Sequence, residues 1–173
     1  MFEILRLIGS YRARRAVRGS PHLDALFRRL ARCAPVEAAA TENLIWDVWM
    51  HHPHHDAARE LDLATDDIAA RRYDIAETRL ARLLRRDPGF AEAWHKRAVL
   101  HYLCGRDDGA LNDIRCTLEL EPRHFAAMLH FAEILYSMDA AAEARFALRA
   151  ARSIHPHLSI PDSASEAGQP AQL

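Results

Sequence analysis

AEAWHKRAVLHYLCGRDDGALNDIRCTLELEPRH, residues 91–124, decides the fold of this 173-residue chain. It holds two apolar patterns of helical period, a glycine at 105 between them and a proline at 122 near its end. Proline ends a helix because it has no N–H to donate and its ring collides with the preceding turn. The same layout recurs on both sides. Pro88, Pro122 and Pro156 stand 34 residues apart, as do Ala64, Ala98 and Ala132, and again Ala76, Ala110 and Ala144. Three kinds of mark in one register predict a tandem array of a helix pair. Small alanines at the crossing points let paired helices approach closely. Trp94, Ile114 and Leu118 are large enough to fill the space between neighbouring pairs. One pair cannot bury its apolar face alone, and roughly three are needed for a stable array.

Composition agrees. Half of the residues are hydrophobic, β-branched and aromatic types are few, and alanine, leucine and arginine are plentiful, which favours helix over strand. The formal net charge is −1, so the chain as a whole has no pull on a polyanion. Cys33, Cys104 and Cys116 are odd in number and form no CxxC, which points to free thiols in a reducing compartment. No apolar run approaches the ~18 residues of a membrane span. In MFEILRLIGSYRARRAVRG the basic cluster follows the apolar part, and Glu3 and Arg6 interrupt it, which is the wrong order for a signal peptide. The expectation is a cytoplasmic protein, or a periplasmic one if the true start lies upstream.

Outward from the array, residues 1–19 form a basic segment. Phe2, Leu5 and Ile8 fall at helical spacing, followed by Arg12, Arg14, Arg15 and Arg18. A solvated terminus, helical at its start, is expected over a lipid- or partner-docking helix, because one short apolar stripe binds weakly. Ser20-Pro21 starts a helix carrying Leu23, Leu26, Phe27 and Leu30 on one face. Ala34-Pro35 ends it. A second helix begins near Val36, with Leu44, Ile45, Val48 and Trp49 on one face and Trp46 flanking it. Residues 20–56 are thus a helical hairpin, expected to cap the exposed end of the array. Its last part, His51-His52-Pro53-His54-His55-Asp56, is a loop, because Pro53 disfavours helix at His52. Imidazoles bind zinc, nickel or copper. Adjacent histidines point in different directions, however, so a polar loop is favoured and a metal-responsive adaptor is the alternative.

The stretch 91–124 resembles the tetratricopeptide repeat, a family with small bacterial members. Trp94 stands at its Trp position, Ala98 at its Gly position and Gly105 at the turn, while Ala110, Ile114 and Pro122 occupy the later Ala, Phe and Pro positions. Arg97 departs from the usual Leu and His101 from the usual Tyr. The resemblance covers 57–158 as three units, 57–90, 91–124 and 125–158. The first has Glu60 in place of Trp, and the third has Asp139 at its turn. It implies an all-α, right-handed solenoid of antiparallel helix pairs, with the first helix of each pair facing a concave groove. It also implies a scaffold that binds a peptide or helix of another protein, without cofactor. Carried over position by position, the groove residues of the central unit are Glu92, His95, Val99, Tyr102 and Leu103. Unit one offers Ala58, Leu61, Thr65, Ile68 and Ala69, and unit three offers Ala126, Leu129, Glu133, Tyr136 and Ser137. Arg123, between units two and three, is a further contact candidate. The Lys/Asn clamp by which some members hold chaperone tails is replaced by Leu61 and Thr65. Tyr102 and Tyr136 are either groove anchors or residues of the stack.

Other classes fare badly. No GxSxG, HExxH, P-loop or GxGxxG is present, so no enzyme is expected. His101 and Cys104 lie one helical turn apart but lack an oxyanion site. Arg79, Arg82 and Arg86, with Arg85 beside them, form a basic stripe. Without interleaved aromatics, and with acids nearby, it is a solvated face and no nucleic-acid site. Residues 159–173 have the composition of a disordered tail. No capping helix succeeds unit three, so that end is expected to form a weak homo-oligomer or to bind a partner.

Overall fold

The computed structural model describes residues 1–10 and 20–159. Arg12, Arg14, Arg15 and Arg18 and the tail from residue 160 lie outside the described residues. Those described are all-α, in nine helices: α1 (Phe2–Gly9), α2 (Pro21–Leu30), α3 (Pro35–Met50), α4 (His55–Ala69), α5 (Tyr73–Arg86), α6 (Ala91–Leu103), α7 (Asp107–Leu120), α8 (Phe125–Ser137) and α9 (Ala141–Ile154). They pack in sequence as pairs: α2 with α3, α4 with α5, α6 with α7 and α8 with α9. Each pair of the repeat also touches the next through α5 on α6 and α7 on α8.

The 34-residue marks have direct structural counterparts. Ala76, Ala110 and Ala144 are fully buried at the crossings. The turn inside each pair passes through a left-handed residue: Arg71 (φ 59°), Gly105 (φ 68°) and Asp139 (φ 59°), again 34 apart. The indole N–H of Trp94 donates to the Pro88 carbonyl at 2.9 Å, which ties α6 to the turn before it. Helix α6 serves two cores. Ala93 and Leu100 join a cluster with Leu61, Leu80 and Leu83, whereas Ala98 joins one with Ile114, Phe131 and Leu135.

Both departures from the repeat pattern in α6 converge on one residue of α7. Arg97 donates two hydrogen bonds to the buried Asp113 carboxylate, at 2.7 and 2.9 Å, and His101 Nε2 lies 3.5 Å from it. Gly109 leaves room for the imidazole, since a Cβ there would stand 2.9 Å from His101 Nδ1. The equivalent positions in the first pair carry the charges reversed, with Asp67 accepting from Arg79 at 2.7 Å. In the third they are the apolar Leu135 and Ala147, both fully buried.

Two placements differ from the expectations drawn from sequence. The N-terminal segment begins as a docked helix: α1 packs on α7 and α9, with Ile4 and Ile8 buried and Phe2 78% exposed. Its inward face is Ile4 and Ile8, not the Phe2–Leu5–Ile8 stripe, and Gly9 lies against Phe146. Helix α1 therefore covers part of the terminal pair that the sequence leaves bare. The hairpin α2–α3 does not cap the first pair. Helix α3 runs along the equivalent turns that precede α6, precede α8 and come after α9. His52, just past its end, lies 4.7 Å from the Phe90 ring; Trp49 stacks on His124; and Glu42 lies 3.1 Å from His155 Nε2. Cys33, between the two hairpin helices, accepts from His157 Nε2 through its carbonyl at 3.1 Å.

Candidate partner-binding surface

His95, Val99 and Tyr102 recur at i, i+4, i+7 on α6, which places them on one face. Leu129, Glu133 and Tyr136 repeat that spacing on α8, each 34 residues after its counterpart. The two stripes divide into a covered part and an accessible part. Glu92, His95 and Arg123 are buried, with 1%, 2% and 3% exposure. Val99, Tyr102, Leu129, Glu133 and Tyr136 are half-buried, and Tyr102, Leu129 and Tyr136 pack along the edge of the core.

The covered part lies under the hairpin. The Trp46 ring faces His95, His124 and Phe125 at 6.0–6.3 Å, and Lys96 Nζ stands 5.5 Å above it. Arg123 donates to Glu121 and to Asp24 of α2, and its guanidinium lies 4.4 Å over the Phe27 ring. It clasps the hairpin, and its fork is not presented to a partner.

At the centre is a closed polar network. His124 caps α8, its Nδ1 accepting the Ala127 N–H at 3.2 Å. A nitrogen that accepts carries no proton, so Nε2 holds it and donates to Glu92 Oε2 at 2.8 Å. His95 Nδ1 donates to Glu92 Oε1 at 3.2 Å, and His130 Nδ1 donates to His95 Nε2 at 2.9 Å. Lys96, 3.3 Å from Oε1, supplies the countercharge. Burial works to raise the Glu92 carboxyl, but the two rings overcome it and hold Glu92 well below the usual carboxylate range. Burial pushes the His95 imidazole down to about 4 against the pull of Glu92, and pushes His130 down to about 3.

Ligand atoms of Glu92, His95 and His124 all lie within 4.8 Å of one another, a spacing that can hold a metal ion. The proton count does not suit one. His124 Nε2 has no lone pair to give while its Nδ1 caps α8, and His95 spends both nitrogens on protein partners. The histidines of the loop do not converge. His51, His54 and His55 are exposed and His52 packs on Phe90; among the described residues the sole convergent group is Glu92, His95 and His124.

The arginine stripe on α5 is paired. Arg79 reaches Asp67 and Glu60, Arg82 reaches Glu60, and Arg86 reaches Asp87. Hydrogen bonds from Arg79 and Arg72 lower the Asp67 carboxyl. Sequence reasoning missed His130 and the two tryptophans as parts of this region, and read His124 as a possible contact for an acidic partner residue, not as a buried member of a network with Glu92. The available signal was spacing, because Glu92 precedes His124 by 32 residues and His95 precedes His130 by 35, close to one repeat.

No helix among the described residues is long and apolar enough to cross a membrane. No family model matches the chain. A TPR repeat-containing protein of Rhizobium etli is 32% identical to it over 114 residues. The match spans 65% of this chain and 56% of that protein.

Proposed function

We propose that this chain, an all-α tetratricopeptide repeat protein distantly related to the one from Rhizobium etli, is a non-catalytic adaptor. Units 57–90, 91–124 and 125–158 stack as a right-handed solenoid, and its first helices line a concave wall that holds a peptide or helix of a partner protein. The contact residues are Val99, Tyr102, Leu129, Glu133 and Tyr136, the half-buried remainder of the two stripes. One observation carries this reading: Glu133 is half-buried on the same face as Leu129 and Tyr136, and burial raises its carboxyl, with no offsetting donor among the described residues. A carboxylate kept in that state is suited to a cation or an N–H brought by a partner. Tyrosines on either side supply large apolar contact with a polar tip.

Affinity capture from the native cell tests this. Tyr102→Ala, Glu133→Gln and Tyr136→Ala together are expected to lose the captured partner while circular dichroism and urea midpoint stay near those of the parent. Undiminished capture by the folded triple variant overturns the assignment of this face.

A further inference from the structure

Helix α9 ends the array with a face that no described element covers. Arg145, Arg149 and Arg152 recur on it at i, i+4 and i+7, so they share one side over about 10.5 Å of helix. All three are exposed, and none has an ion pair or hydrogen bond among the described residues. The stripe on α5 differs, because Arg79, Arg82 and Arg86 are each held by a carboxylate. Arginines paired within their own chain have their field cancelled. Those of α9 keep theirs for a partner.

Aromatic side chains accompany this stripe as well. Phe146 follows Arg145 and is 36% exposed, and Gly9 of α1 lies against its ring. Helix α1 is laid over α7 and α9, which makes this side of the molecule a ridge and not a groove. Ile4 and Ile8 hold α1 down and leave Phe2 and Arg6 exposed on its outer side. The chain leaves α1 at Ser10, and its next nine residues hold Arg12, Arg14, Arg15 and Arg18 and no acid. The acids of the two helices are Glu3, which faces Arg115 of α7, and Glu143, two residues before Arg145 and so off its face.

Free positive charge selects an anionic partner, and shape decides which. A peptide or helix needs a groove or a sheet edge. Single-stranded nucleic acid needs a charged groove with aromatics in series. A nucleic-acid duplex leaves Phe2 in water. A second copy of the chain is a poor occupant, because a two-fold contact sets the arginines against their own copies. A planar anionic surface does meet a ridge. Its phosphates take the arginines, and the apolar side chains enter the headgroup boundary.

We infer that the face formed by α1 and α9 is a peripheral membrane surface. Arg145, Arg149 and Arg152 meet anionic phospholipid, with Phe2 and Phe146 at the acyl boundary. One short apolar stripe binds lipid too weakly alone; the arginines of α9, far along the chain, supply what it lacks. The face uses other helices than the stripes of α6 and α8, so it stands apart from the adaptor reading.

Co-sedimentation of the full chain tests this, with vesicles of phosphatidylserine and phosphatidylcholine in equal parts and with vesicles of phosphatidylcholine alone. The chain is expected to follow the anionic vesicles and not the neutral ones, and to be released as salt is raised. Arg149→Gln should weaken retention about fivefold, and Arg145→Gln/Arg149→Gln/Arg152→Gln about a hundredfold. Phe2→Ser, which leaves charge and core intact, should also weaken it. Arg82→Gln, from the paired stripe of α5, should be retained like the parent. All these positions are exposed, so circular dichroism should not change. No retention on the anionic vesicles overturns the proposal, as does undiminished retention of the triple variant. Equal losses for Arg82→Gln and Arg149→Gln overturn it too, because overall charge is then at work. Retention untouched by Phe2→Ser, or tighter binding to a DNA oligonucleotide than to the vesicles, assigns the arginines to a soluble polyanion and overturns the lipid assignment.

Discussion

The Trp49 indole lies flat on the His124 imidazole, with centroids 4.1 Å apart and planes within 6°. Both nitrogens of that imidazole are engaged, one with the Ala127 N–H and one with Glu92. The hairpin thus rests on a ring that cannot rotate without breaking the cap of α8. Trp49→Ala is expected to cost about 3–5 kcal/mol. Trp49→Phe should cost under about 1.5 kcal/mol, because it keeps an aromatic on His124 and removes an indole N–H that has no partner among the described residues. Urea denaturation of the two variants checks the order. A Phe variant as unstable as the Ala variant would contradict it.

The buried histidines predict a pH dependence of definite sign. His95 and His130 are held down to about 4 and about 3, whereas the unfolded chain takes up protons at the ordinary 6.5. Below 6.5 the unfolded state therefore binds more protons. Stability is full above that pH and falls as the solution is acidified toward 4, with a limiting slope of about 1.4 kcal/mol per pH unit for each histidine. Glu92, held low, adds to the loss at still lower pH. Stability curves from pH 8 to pH 4.5 should show the decline beginning near 6.5. His130→Gln should reduce the slope by about half.

The three left-handed turns make a ranked set. Arg71 and Asp139 adopt φ 59° with side chains attached, and Gly105 adopts φ 68° without one. Arg71→Gly is expected to gain about 1 kcal/mol and Asp139→Gly less, since Asp tolerates this region better than Arg. Gly105→Ala should lose about 1 kcal/mol from backbone strain alone, because nothing lies within 4 Å of the added methyl. Thermal melts of the three single variants give the comparison.

The repeat itself was legible because its marks are backbone and crossing requirements. A proline, a small residue and a turn must recur wherever the pair recurs, whatever surrounds it. The Arg97–His101–Asp113 set was legible only as two departures from pattern, since its meaning lies in a contact between helices. The hairpin's seat and the docking of α1 were not legible. Eight residues of α1 offer too few positions to fix which face turns inward. Glu92 and His95 bear polar side chains, and their interior place comes from partners distant in sequence: His124 and His130, with Trp46 over His95. The five accessible stripe residues remain a carry-over from the repeat pattern, with Glu133 as their physical support.

Arg97 and Asp113 provide a test of that contact. Arg97→Met leaves a carboxylate that is 1% exposed with only His101 and Asn112 beside it and should cost roughly 1–3 kcal/mol. Arg97→Lys should recover part of it, lacking the second donor of the fork. Arg97→Met with Asp113→Ala should be less damaging than Arg97→Met alone, because the third pair fills the Asp113 position with a buried alanine, Ala147. A double-mutant cycle in urea measures the coupling. Additive losses would show that the pair is not held as described.

The contact of α1 with α7 and α9 bears on the order in which the chain assembles. A linear array closes by nearest neighbours and can begin anywhere along its length. Here α1 finds its seat only when α8 and α9, more than a hundred residues later, have been made, and α3 waits likewise for the turn after α9. At roughly 5–20 residues per second that interval lasts several seconds. Long sequence separation also slows folding once the whole chain is free. Helices α1 and α3 are therefore secured after the pairs they lie against and, during synthesis, stay exposed to chaperones and proteases through that interval.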